Sequence, residues 1–380
     1  AVAGKWHCGA REPWDEHVGF DEYCLWEGPD KIKSHFGEDP VASGARKDLN
    51  LSDNRYWYPS TVQNGKYLKV AKDGFGPDQR CDFLMGFMER MTRQKKPFVA
   101  YWPTVIPHGP YSTTPDHGKP LDIELKKPDP KGVSKEARAH VMKAYNEKQS
   151  QRFIYLVEYM DKLIGKLMTK AEDLGIYENT YFIFCADNGT ANTAKDRGVE
   201  RGVHVPYVVC GPGIKRLGAT NQLTDFADVA PTLLEMAGIP IPKDVSFDGQ
   251  SQLPFLTGKT KTHREWIYAY TGSVQVLRTK HHLLEARTPL LGKPKGRFYF
   301  TGESRFGRDY KRAENDPEHA PALSLLRRVV DEMPSHLEED HPFWESKYGK
   351  RWLQNNPDRS ELARKQLYNH PDYSRYDESD

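Results

Sequence analysis

The sequence predicts an α/β domain over residues 1–262 followed by a smaller α+β domain over residues 263–380. Three observations carry this. Between residues 96 and 256, short apolar runs alternate with helical stripes, as strands and helices taken in turn would. Several of these runs close on Gly-Pro or Asp-Asn-Gly, residue types that turn a chain sharply. After Gly258-Lys259-Thr260-Lys261-Thr262 the apolar runs shorten and no longer alternate with long helical stripes.

The elements follow in order. Gly4-Lys5-Trp6-His7, if extended, places Lys5 and His7 on one face, as an anion grip or as the polar face of an edge strand. Residues 97–102 read as a buried strand leading into the irregular Pro103-Thr104-Val105-Ile106-Pro107-His108. Ile154, Val157, Met160, Ile164, Leu167, Ala171 and Leu174 recur at helical spacing, with Gly175 placed as the stop. Strands are predicted at 181–185 and 205–210, and a helix at 226–237 between Asp225 as N-cap and Gly238. Beyond residue 262, strands are expected at 266–270, 274–278 and 298–300. Ala322, Leu326, Val329 and Met333 mark a helix, and the charged last forty residues are expected to lie across the surface.

Composition narrows the function. The 20 Tyr, 16 Phe and 8 Trp argue for a folded chain. A net charge of +2, with 55 basic and 53 acidic residues intermixed, gives no basic run that would make nucleic acid a partner. No apolar run approaches the ~18 residues of a membrane span, and no signal peptide is visible at Ala1. The five cysteines form no C-x-x-C pair; Cys185 and Cys210, in apolar runs, are expected to be small buried hydrophobes. No pattern specifies an oligomeric state.

Chemistry concentrates where strands end. Asp187-Asn188-Gly189 offers adjacent oxygens to a hard cation, Ca²⁺ or Mg²⁺, although the same triplet suits an ordinary turn. His108, between two prolines, suits proton transfer or anion contact, or is a plain surface histidine. Lys195, in a glycine-punctuated loop, can reach an anion or remain solvated. Together with Lys5 and His7 these residues supply a cation, two fixed positive charges and two imidazoles, a set that stabilises a charged tetrahedral group.

The same segments resemble the type I sulfatases of the alkaline-phosphatase-like superfamily. Gly4-Lys5-Trp6-His7 with Gly19-Phe20-Asp21-Glu22 looks like that family's G-K-W-H…G-F-D-E. Pro107-His108-Gly109-Pro110 to Pro115-Asp116 is similar to its P-H-x-P…P-D segment. Met160-Asp161 through Gly165, Gly175, Asn179-Thr180 and Asp187-Asn188-Gly189 match its central run. Lys195, Glu200-Arg201-Gly202-Val203-His204-Val205-Pro206, Asp228-Val229-Ala230-Pro231-Thr232 and Asp248-Gly249 continue it.

The resemblance implies an alkaline-phosphatase-like sheet sandwiched by helices and a Ca²⁺ site completed by Asp187 and Asn188. It further implies Lys5, Lys195 and His108 on the sulfate, His108 with Lys195 at the leaving group, and His7 in later turnover. Substrates would be sulfated small molecules or sulfated carbohydrates, and the location periplasmic or secreted. The family's nucleophile, a formylglycine made within C-x-P-S-R or S-x-A-x-R, has no counterpart here: Cys8-Gly9-Ala10-Arg11 and Ser43-Gly44-Ala45-Arg46 are each one residue short. The paired aspartates of the first strand are missing too. Both features lie upstream of G-K-W-H in the family, so a truncated N-terminus is expected, and the chain alone should be inactive. Arg201 and His204 depart from the family's Gly and Arg. Two other readings stand beside this one: a non-catalytic homologue that binds sulfated glycans or a partner protein, and a phosphodiesterase or phosphonate hydrolase of the same superfamily. Asn188, where two-metal members place His, weighs against the latter.

Overall fold

The computed structural model describes residues 1–6, 18–26, 55–57, 59–69, 74–118, 132, 134–189, 195, 198–243, 245–271, 274–287, 295–304 and 309–332. His7, Cys8 and the charged last forty residues therefore lie outside the described residues. Two compact units divide between Thr180 and Tyr181. The second unit takes in the strands expected at 181–185 and 205–210 together with the C-terminal sheet.

In the first unit, β1 (Val2–Lys5) pairs in parallel with β2 (Tyr23–Trp26), which carries the antiparallel β3 (Thr61–Gln63) and β4 (Lys66–Tyr67). Strand alternation sorts the side chains. Ala1, Ala3 and Cys24 pack on Phe83, Leu84 and Phe87 of helix α1 (Gly76–Arg93), while Val2, Tyr23, Leu25 and Val62 form a cluster on the opposite face. Helix α2 (Lys135–Asp173) starts at Ser134, whose hydroxyl accepts the Ala137 N–H at 3.2 Å. It ends as predicted at Gly175 (φ 68°), where Ile176 N–H bonds Ala171 O and Gly175 N–H bonds Glu172 O.

The buried face of α2 is Arg152, Leu156, Tyr159, Leu163 and Ala171, so the predicted stripe is turned by about one residue and Ile154 stands 47% exposed. The reason is Tyr159, an amphipathic residue that the apolar count omits. Its ring packs against Phe75, and its hydroxyl donates to Asp78 at 2.8 Å.

Residues 97–102, expected as a buried strand, form an extended segment along β1. Ala1 donates to Val99 O, Tyr101 to Ala1 O, Ala3 to Tyr101 O and Lys5 to Pro103 O, at 2.7–2.9 Å. Pro103 has no N–H to return, which ends the ladder. Val99 and Tyr101 are 60% and 48% exposed, so the segment is paired on one side but not buried.

In the second unit, β5 (Phe182–Cys185) and β6 (Tyr207–Cys210) form an antiparallel pair, β6 starting just beyond Pro206. The expectation for their cysteines fails: Cys185 is exposed and Cys210 half-buried, while Cys24 and Cys81 are the buried thiols among the described residues. A two-stranded pair leaves its faces half open, so apolar flanks did not guarantee burial. Helix α4 (Val229–Met236) follows a 3₁₀ turn capped by Asp225 and stops at Gly238 as predicted; the short helix α3 (Glu200–Val203) precedes β6.

Five antiparallel strands follow in the order β11-β10-β9-β8-β7: β7 (Trp266–Thr271), β8 (Val274–Thr279), β9 (His282–Arg287), β10 (Arg297–Phe300) and β11 (Lys311–Arg312). Helix α6 (Ala320–Glu332), with α5 (Leu253–Leu256) before the sheet in sequence, completes the set; Leu323, Leu326, Val329 and Val330 pack on Leu277, Leu284 and Phe298. No helix of the described residues is long and apolar enough to cross a membrane.

Candidate active-site elements

The residues expected to act on an anion fall into two groups, each built within its own unit. In the first, Gly4 allows the chain to reach Lys5: its φ is +141°, and a Cβ there would sit 2.1 Å from Pro103 O. Lys5, half-buried, ends β1 opposite Trp26, and its N–H bonds Pro103 O at 2.7 Å. Because the 97–103 segment runs parallel to β1, the loop carrying His108 leaves from the end of the pair at which Lys5 lies.

Backbone bonds fix that loop. His108 N–H donates to Val105 O at 2.8 Å, and the buried Tyr56 hydroxyl donates to His108 O at 2.7 Å. Cis peptide bonds precede Pro107 and Pro110. Exposed His108 has its Nδ1 2.6 Å from Arg55 Nη1, and the same Nη1 donates to Gly109 O at 2.9 Å. Arg55 in turn lies 5.1 Å above the Trp26 ring. Arg55 was not singled out in the sequence; its available signal was the run Arg55-Tyr56-Trp57-Tyr58, a basic residue leading three aromatics.

In the second group, β5 delivers Asp187, exposed, and Asn188, half-buried. Asn188 Nδ2 donates to Gly189 O at 2.7 Å, which turns its amide oxygen away from that contact. Gly189 N–H bonds Gly202 O at 2.9 Å, and a Cβ on Gly189 would lie 1.7 Å from Arg201 O. The strand-end turn therefore rests on the 201–202 backbone, and only glycine permits so close an approach.

That backbone is anchored by a network of polar side chains that joins Glu200 to the C-terminal sheet. Buried Glu200 pairs with Arg278 and accepts from Tyr310 at 2.6 Å, and its own N–H donates to Glu285 Oε2 at 2.9 Å. Arg297 holds the other Glu285 oxygen at 3.2 Å, and Ala286 N–H bonds Gly198 O at 3.0 Å. Burial pushes both carboxyls up from the usual range, against the pull of Arg278 on Glu200 and Arg297 on Glu285. Lys195 stands exposed at a turn just before this anchor, and Arg201 and His204, the two departures from the family pattern, are exposed as well.

The donors at the turn fit a hard cation in kind. Asp187 and Asn188 offer oxygen and no sulfur or imidazole, as Ca²⁺ and Mg²⁺ require. They are two of the roughly six to eight oxygens Ca²⁺ takes, and no group of three or more His, Cys, Asp or Glu able to hold a metal occurs among the described residues.

Two further pieces of the sequence pattern serve the scaffold. Asp228 is fully buried; its carboxylate accepts from Arg264 Nε at 2.8 Å, His263 Nε2 at 2.9 Å, and the N–H groups of Asp225 (3.0 Å) and Gln250 (2.9 Å). Burial alone would raise its pKa, but these bonds outweigh it and hold the carboxyl well below the usual range. A Cβ on Gly249 would sit 1.8 Å from Ala227 O, which accounts for the glycine after Asp248.

Comparison with known proteins identifies the family and the fold. The sulfatase family model matches residues 1–239, and a model of the N-sulphoglucosamine sulphohydrolase C-terminal region matches residues 195–286. The ulvan-active sulfatase of Formosa agariphila is 32% identical over 195 residues, covering 49% of this chain and 35% of that protein. N-acetylgalactosamine-6-sulfatase of Canis lupus familiaris is 27% identical over 302 residues, covering 71% and 48%. The chain thus spans less than half the length of either relative. A protein solved in complex with k-i-k-neocarrahexaose superposes with a TM-score of 0.56 at 18% identity, over 99% of this chain and 77% of that one. Another, solved with D-glucosamine-2-N,6-O-disulfate as its substrate, gives 0.54 at 17% identity over 87% and 78%. The fold is the α/β, alkaline-phosphatase-like one that the sequence predicts. With more than half of its length matched by the family model, the chain belongs to the sulfatase family.

Proposed function

We propose that this chain supplies the sulfate- and cation-binding part of a sulfuric ester hydrolase acting on sulfated carbohydrates or small sulfated molecules. The observation that carries the reading is the Asp187-Asn188-Gly189 turn seated on the 201–202 backbone, inside the family-matched region. Lys5, Lys195 and His108 hold the sulfate, His108 and Lys195 stand at the leaving-group oxygen, and His7 serves a later stage of turnover. Asp187 and Asn188 hold Ca²⁺ (Mg²⁺ being the alternative), which when bound screens the charge of the ester oxygens. The formylglycine that the family resemblance implies would supply the attacking oxygen, and Lys5, Lys195 and His108 would hold the sulfate for it. Export to the periplasm or the medium fits a Drosophila melanogaster relative, 25% identical over 239 residues, that is named an extracellular sulfatase.

The test is hydrolysis of an aryl sulfate by the protein expressed from its complete reading frame. Turnover should require Ca²⁺, and Asp187→Ala should weaken that requirement or abolish activity. Unchanged activity and metal dependence in the variant would remove Asp187 from the site. One observation favours a second reading: the sequence has no C-x-P-S-R or S-x-A-x-R motif. A complete reading frame that also lacks one would make the protein a sulfated-glycan binder, seen as glycan affinity without turnover.

A further inference from the structure

Deepening the proposed role of His108, we infer that Arg55 is a positioning residue that keeps this imidazole neutral with its proton on Nε2, so that the ring serves the sulfate as a hydrogen-bond donor and not as the source of the leaving group's proton. The inference rests on the reading of His108 as a sulfate contact. Its geometric basis is the pair of contacts at Nδ1: Arg55 Nη1 at 2.6 Å and Gly109 O at 2.7 Å.

These two neighbours make opposite demands. A carbonyl oxygen beside Nδ1 favours a proton there, whereas a guanidinium has donors only and needs a lone pair. Arg55 decides between them: Gly109 O, which accepts from Nη1 at 2.9 Å, keeps a second lone pair, but Nη1 itself lies 2.6 Å from Nδ1 and can only donate to it. A proton on Nδ1 would set two donors face to face at 2.6 Å. The single ring proton is thus left on Nε2, on the far side of the ring from Arg55.

Chemistry follows from the tautomer. A neutral imidazole that gave up its Nε2 proton would become an imidazolate, a far weaker acid couple than imidazolium and imidazole. His108 in this state donates a hydrogen bond to a sulfate oxygen without releasing the proton. When the ester S–O bond breaks, the proton taken by the departing oxygen then comes from the Lys195 ammonium, which is left as the amine. Arg55 itself is held by its position over the Trp26 ring, and Trp26 pairs with Lys5 in the sheet, so the same end of β1 and β2 positions both groups.

The tautomer is read directly by long-range ¹H–¹⁵N correlation on the full chain labelled at histidine nitrogen, with the His108 signal identified by its loss in His108→Gln. The wild type should show the Nε2–H form. Arg55→Met should move the proton to Nδ1, where Gly109 O accepts it, and Arg55→Lys should restore the Nε2–H form at least in part. An Nδ1–H or doubly protonated His108 in the wild type at neutral pH overturns the inference without reference to any variant, as does an unchanged tautomer in a folded Arg55→Met protein. In the aryl sulfate assay, His108→Gln should lower turnover by the same factor for good and poor leaving groups, while Lys195→Met should lower it more for poor ones. A loss in His108→Gln that grows with leaving-group pKa also overturns it. Absence of any turnover would count against the proposed function, and the nitrogen spectrum would still decide the tautomer.

Discussion

Replacing Asp228 by alanine removes a carboxylate that no water reaches and leaves two basic side chains behind it. Arg264 and His263 have side chains only 12% and 5% exposed, and both are aimed at Asp228. Breaking a buried charged pair by deleting one partner costs about 3–5 kcal/mol, since the remaining charge loses both water and its counter-charge. Asp228→Asn keeps the volume and one acceptor oxygen, and should cost about 2 kcal/mol, the order of one charge-assisted hydrogen bond. Asp225→Ala removes only the cap on Ala227 N–H at 3.0 Å and should cost about 1 kcal/mol.

Urea unfolding followed by tryptophan fluorescence would show the Asp228→Ala loss as a midpoint lower by on the order of 1–2 M. Its pH dependence has a definite sign. The folded carboxyl is held below the unfolded value of about 3.9. Its contribution is therefore complete above about pH 5 and fades as pH falls through and below 4. The gap between wild type and variant should shrink over that range. A loss under about 1 kcal/mol, or a gap independent of pH from 6 to 3, would refute this account of Asp228.

Two glycine-to-alanine substitutions should act with opposite signs. Gly189→Ala forces a Cβ against Arg201 O and should destabilise by about 1–3 kcal/mol, with faster hydrogen exchange at the Gly189 amide. Gly165→Ala, in α2 with nothing within 4 Å, should stabilise by about 0.5–1 kcal/mol; equal effects on the urea midpoint would contradict the packing argument. Arg80 is fully buried, and its one hydrogen bond in the described residues is Nη2 to Thr61 Oγ1 at 3.5 Å. Burial pushes its pKa down to about 10. Arg80→Met should therefore raise stability by about 1–4 kcal/mol, and a lower midpoint would show that the charge is compensated.

The fold was legible in the sequence wherever one signal dominated. Gly175 and Gly238 end their helices because both stand at positive φ, which glycine alone adopts freely. The helix stripe was legible in period but not in phase, since the face that packs includes Tyr159 and Arg152, which the apolar pattern does not count. Strand β9 was passed over because it is buried on both faces, so its side chains show no alternation, and because Glu285 interrupts the apolar run. The candidate site residues declared themselves as residue types at strand ends. Their supports did not: Arg55 is 53 positions from His108, and Arg278 and Tyr310 are 78 and 110 positions from Glu200. Such contacts are set by tertiary structure and leave no local period.

The most direct test of the central claim, the proposed sulfate-binding roles of Lys5 and Lys195, is inorganic sulfate binding measured by calorimetry with Ca²⁺ present. Lys5→Ala and Lys195→Ala should each weaken binding. Wild-type sulfate affinity in both single variants would contradict the account.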